Sequence, residues 1–195
     1  METPIHHRGD RLILADASSA DEVVFFARGA EFQEGRENNT PYGSERVWVI
    51  RKGLYFHYVD NRQADVRYVQ VTGDDAEDVQ RFTELAGEFF TTVGVDALLS
   101  DVREARTPQE RARTLTRLAV GLPNPASEEA LQEILTAFDD EDAAARRAAL
   151  LSALYLDWEI VGPSVRRMEQ FDDEDMLRVQ AQYFVDRHDR SEGNS

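Results

Sequence analysis

The string Phe138-Asp139-Asp140-Glu141-Asp142 recurs as Phe171-Asp172-Asp173-Glu174-Asp175, 33 residues later (138 to 171). An amphipathic segment follows each copy. A period in the thirties points to stacked helical units, because one helix pair cannot bury its apolar face alone and must lean on the next. The same offset places Leu118 on Leu151, Leu115 on Ala148, Ala112 on Ala145 and Leu135 on Met168. The pattern predicts helix from Thr107 to His188. Pro108 suits a first helical turn, Ser127 an N-cap, and Asp139–Asp142 and Asp172–Asp175 two acidic starts. Breaks are expected at Pro123-Asn124-Pro125 and at Gly162-Pro163.

The chain upstream reads differently. Residues 1–10 form a flexible lead without an apolar core of the kind a secretory signal needs. Arg11–Ala15 reads as a short strand. Ser19-Ala20-Asp21-Glu22 has capping-box spacing for a helix through Phe25 and Phe26, a run that also suits a strand. Glu34–Ser44, with Gly35, Asn38, Asn39, Pro41 and Gly43, reads as a loop. Three strands follow at Arg46–Arg51, Leu54–Val59 and Val66–Val71, joined by turns at Lys52-Gly53 and Asp60–Gln63. A helix after Asp75 steps through Val79, Phe82, Ala86, Phe89 and Phe90, and a shorter one spans Asp96–Arg103. The expected fold is an α+β N-terminal module, an antiparallel meander plus helices over residues 11–103, then an all-α segment over 104–190. Residues 191–195 are expected to be a disordered tail.

The stretch Asp140-Glu141-Asp142-Ala143-Ala144-Ala145-Arg146-Arg147-Ala148-Ala149 resembles the start of a HEAT-like repeat, with acidic residues capping a helix that opens on an Arg-Ala pattern. The resemblance covers about residues 105–190 and implies a three-unit array that binds protein partners. In the copy from Asp172, Arg178 stands one place early, and the copy from Thr107 lacks the Asp run.

Charge narrows the partners. Asp and Glu number 38 against 22 Lys plus Arg, for a net −16. Such a chain repels nucleic-acid phosphates and anionic membranes, so the expected partner is a basic protein, with no nucleic acid and no membrane. The only lysine is Lys52, and the acidic excess fits adaptation to a salt-rich cytoplasm as well as it fits an arginine-rich proteome. No cysteine is present, which excludes disulfides, thiolate metal sites and cysteine nucleophiles. No apolar stretch spans a bilayer. These features lead us to expect a cytoplasmic protein. Oligomeric state is not legible.

No phosphate loop, dinucleotide fingerprint, zinc pair or nucleophile elbow occurs, so neither a cofactor nor a metal is expected. The acidic clusters read first as helix caps, since carboxylates at an N-terminus face the positive end of the helix dipole. They are also the candidate binding surface: Asp140, Asp142, Asp173 and Asp175, with Arg113, Arg146 and Arg147 as the alternative face or as an inter-repeat polar stack. Trp48, Tyr55, Tyr58 and Tyr68 are first core and cross-strand residues, second an exposed aromatic docking patch. His57, between Phe56 and Tyr58 on a strand, has no sequence-adjacent carboxylate or nucleophile. The expected function is a non-enzymatic interaction module (an adaptor, regulator or immunity-type inhibitor). The alternative is an enzyme with a site between the two halves near His57.

Overall fold

The computed structural model describes residues 6–16 and 18–192. The chain divides into two compact units, one running up to Val95 with Gly121–Asn124, the other comprising Asp96–Val120 and the residues from Pro125 onward. The boundary lies earlier than the sequence suggests. The helix at 95–104 joins the second unit, where Arg103 pairs with Glu129 and Glu133.

The first unit is built on a six-stranded antiparallel sheet: β1 (His7–Arg8), β2 (Leu12–Ile13), β3 (Gln33–Thr40), β4 (Gly43–Arg51), β5 (Leu54–Asn61) and β6 (Val66–Gly73). The order is β1-β6-β5-β4-β3, with β2 also on β6. Helices α1 (Ala20–Gly29) and α2 (Ala76–Phe89) cover one face. Their starts are held as the sequence predicts: Ser19 Oγ accepts from the Glu22 N–H and Asp75 from the Asp78 N–H. Trp48, Leu54, Phe56, Tyr58, Val69 and Val71 point into the helices and meet Val23, Phe26, Val79, Ala86 and Phe90. Each large side chain in this layer contributes about 1.5–3 kcal/mol by leaving water.

Two sequence expectations fail here. Residues 33–40 are not loop but β3, an edge strand whose every residue is exposed. Strand alternation is a burial signal, and a strand buried on neither face shows none. β3 is held by its backbone bonds to β4 and by Glu37 bridging to Arg46 at 2.7 Å. The lead is likewise not free of structure in its described part, because His7 and Arg8 pair with Thr72 and Gly73 on the open edge of β6; residues 1–5 lie outside the described residues.

The elements of the second unit are all helices among its described residues: α3 (Val95–Glu104), α4 (Pro108–Gly121), α5 (Glu128–Ala137), α6 (Ala143–Ser152), α7 (Trp158–Phe171) and α8 (Asp175–Glu192). The α+β module followed by an all-α segment is thus the observed fold class. Gly162-Pro163 is not a break. Both lie inside α7, and the break falls at residues 153–157. A mid-helix proline costs about 3 kcal/mol, which the burial of Val161, Val165 and Met168 along α7 offsets. Gly162 is needed there, since a Cβ would sit 2.6 Å from the Trp158 indole nitrogen. The expected tail also begins later: α8 includes Ser191 and Glu192, and 193–195 lie outside the described residues. Among the described residues no helix is long and apolar enough to cross a membrane.

Candidate functional site

The acidic turns of the second unit are first of all fasteners. Thr107, Asp142 and Glu174 stand immediately before α4, α6 and α8, and four residues after each comes an arginine: Arg111, Arg146 and Arg178. Arg146 donates to the Asp140 and Glu141 carbonyls at 2.9 and 3.1 Å, and Arg178 donates to the Asp172 carbonyl. The Asp140 carboxylate accepts from the Asp142 N–H, and Asp172 from the Glu174 N–H, both at 2.9 Å. These turns are therefore equivalent at an offset of 32 (140 to 172), not the 33 of the string match. In that register Arg178 is not early.

The same arginines reach forward to the next turn. Arg111 Nε donates to Asp140 at 3.1 Å, and Arg146 Nε donates to Asp172 at 2.9 Å. Side chains of Arg146 and Asp172 are only 9% and 3% exposed. Burial pushes the Asp172 carboxyl up, but the Arg146 guanidinium and the Glu174 N–H outweigh it and hold it below its ordinary value. Arg178 bonds back to Asp175. Arg146 is therefore a structural tie rather than a free binding residue, a correction to its place among the candidates. Arg113 and Arg147 are exposed on α4 and α6.

The two repeated strings do converge. A groove of about 520 Å³ is lined by Phe138, Asp139, Asp140 and Glu141 from one turn and by Phe171, Asp172 and Asp173 from the other, with Arg146, Arg167 and Met168 also on its walls. Asp173 and Asp175 are 87% and 86% exposed while paired to Arg146 and Arg178. Asp142 caps α6 through the Ala144 N–H. Beside the groove, α8 is apolar on two sides. Leu177, Ala181 and Val185 are buried. Met176, Val179 and Tyr183, at i, i+3, i+7 spacing, are exposed, as is Phe171. Asp175 and Asp186 share that outer face. A helix apolar on both sides ordinarily buries both.

The aromatic patch does not form. Trp48 and Tyr58 lie in the helix-covered core, where the sheet's pleat sends them, and Tyr68, which alternates with Val69 and so points to the other face, is buried as well. Tyr55 lines a pocket of about 380 Å³ on the face of the sheet opposite α1 and α2. That pocket holds what the sequence did not show. His57 Nδ1 lies 2.9 Å from Glu45 Oε1 and its Nε2 lies 2.9 Å from Thr72 Oγ1. A carboxylate only accepts, so Nδ1 carries the proton. Burial of the ring is the largest effect on His57 and lowers its pKa, against the opposing pull of Glu45. The imidazole is then neutral near pH 7, and the Thr72 hydroxyl donates to Nε2. Val47, Val49, Gly35, Arg36 and His6 complete the walls, all within the first unit.

Among the described residues no group of three or more acidic or histidine side chains is arranged to hold a metal ion. No family model, curated protein sequence or solved structure matches this chain.

Proposed function

We propose that the second unit is a protein-interaction module, HEAT-like in its stacking, that docks a basic partner segment on its acidic, C-terminal end. The protein would act through it as an adaptor, a regulator or an immunity-type inhibitor. The observation that carries this reading is the outer face of α8: Met176, Val179 and Tyr183 exposed in a row beside Phe171, with Asp173, Asp175 and Asp186 around them. Contiguous apolar side chains rimmed by charge are characteristic of interaction surfaces. The carboxylates select a cationic partner and steer its approach, and the apolar row supplies the area that leaves water. The partner's counterpart is an amphipathic segment with Lys or Arg flanking apolar residues, which lays those residues along α8 and into the neighbouring groove.

The experiment is affinity capture from the native cell, followed by calorimetry of the captured partner against two variants. Met176→Ser/Val179→Ser/Tyr183→Ser should weaken binding at least tenfold, and Asp140→Asn/Asp142→Asn/Asp173→Asn/Asp175→Asn should slow association and flatten its salt dependence. Unchanged affinity in both variants, each with a wild-type helical spectrum, would refute the reading.

A further inference from the structure

Independently of the partner surface, we propose that the pocket on the sheet face opposite α1 and α2 is an acyl-transfer site that hydrolyses small uncharged carboxylic esters, with Thr72 as nucleophile and His57 as its base. The arrangement meets the geometric requirements for an activated hydroxyl: nucleophile to base at 2.9 Å, base to orienting carboxylate at 2.9 Å, and an open cavity beside them. Glu45 is a positioning residue that fixes the tautomer in which Nε2 is free to take a proton. The three groups come from three adjacent strands, β4, β5 and β6, and the sheet's register holds their spacing rigidly. Val47, Val49 and Tyr55 make apolar walls that suit an acyl chain better than a phosphate, and Arg36, on the pocket wall, is the cationic donor nearest to hand for the oxyanion.

Chemically, Thr72 Oγ attacks the ester carbonyl as its proton passes to His57 Nε2. The tetrahedral intermediate collapses, the C–O bond to the alcohol breaks, and the leaving alkoxide takes the proton from His57. Water then attacks the acyl-threonine by the same route, which releases the carboxylic acid and restores the hydroxyl.

The test uses the full chain with 4-nitrophenyl acetate and butyrate. Product release is followed by absorbance, and acid-quenched samples are digested to find the acyl group by mass. We expect saturable turnover, an acetyl group on the peptide carrying Thr72, and loss of about a hundredfold in rate in both Thr72→Val and His57→Gln. Thr72→Ser should keep turnover, since it keeps the hydroxyl. Glu45→Gln should lower kcat with KM unchanged and move the midpoint of the pH–rate profile, which also feels Arg36 and His6 across the pocket; a merely structural Glu45 would leave that midpoint in place. Turnover by Thr72→Val at the wild-type rate, or absence of both turnover and Thr72 acylation in a folded wild-type protein, overturns the proposal. Should Thr72→Val fail to fold, the acyl label and Thr72→Ser decide.

Discussion

Arg146→Met tests whether the turn-to-turn tie holds the helical unit together. The guanidinium makes five hydrogen bonds: two to the Asp172 carboxylate, one to Asp173, and one each to the Asp140 and Glu141 carbonyls. Asp173 is 87% exposed, so its contact adds little. Asp172 is 3% exposed, and without Arg146 it keeps the Glu174 N–H but loses its counter-charge. Removing one partner of a buried pair costs about 3–5 kcal/mol, because the other charge stays buried. That is a large share of a domain stability of about 5–15 kcal/mol. In a Trp48→Phe background, Trp158 on α7 is the only indole and reports the second unit alone. With a urea slope of about 1–3 kcal/mol/M, the midpoint should fall by about 2 M. Arg167→Met is the control: its partner is Asp139, at exposures of 52% and 65%, and the expected loss is about 0–1 kcal/mol. Adding Asp172→Leu to Arg146→Met should recover most of the loss, since an apolar pair leaves no charge stranded. Equal, small effects of Arg146→Met and Arg167→Met would refute the reasoning.

Acid should act on the same tie. The carboxyl of Asp172 is depressed in the folded state, so its contribution is complete above the unfolded value of about 3.9 and is lost as pH falls below that through the folded value; unfolding of the Arg146→Met variant should show a weaker pH dependence in that window. The ring of His57 should titrate below its unfolded value of about 6.5. Its stabilising share is therefore complete above 6.5 and lost as pH drops below it, and an NMR midpoint at or above 6.5 would contradict the burial argument. Gly162→Ala should cost about 1–3 kcal/mol by driving a methyl into the Trp158 indole, with the indole fluorescence shifting in the native state. Thermal melts should rise with salt as repulsion within a −16 chain is screened over a Debye length of about 10 Å at 0.1 M and less above it; a flat or falling series would count against adaptation to salt.

Helix starts and the meander were legible because they rest on local chemistry. Ser19, Asp75, Ser127 and Asp142 each accept from the helix they precede, as caps do anywhere. The pocket was not: Gly35 and Arg36 lie on a strand that reads as loop, and the pairing of β4 carries an irregularity. Counting back from the Lys52-Gly53 turn with regular pairing puts Trp48 opposite His57. A register shift between Val49 and Arg51 puts Val47 there instead. One displaced residue moves every later side chain of β4 to the other face. Glu45 thereby joins His57, and Trp48 goes to the core. Nothing in the residues 49–51 announces the shift. Thr72 could have been found by pairing β5 with β6, where Tyr55 opposes it and His57 lies one diagonal away. The arginine tie was half legible: the string match at 33 was correct about repetition and one residue off about equivalence, because identical letters and identical bonds need not align.

That offset has a consequence for how such a chain can change length. From the residue before α4 to the residue before α6 is 35 positions (107 to 142), and from there to the residue before α8 is 32 (142 to 174). The forward bonds from Arg111 to Asp140 and from Arg146 to Asp172 form across both spacings all the same. The joint is gauged by the distance from arginine to carboxylate and is indifferent to how much chain is looped between. Residues added in the connection at 122–127 should leave the joint intact, whereas a single residue inserted between Asp140 and Arg146, or between Asp172 and Arg178, should undo it.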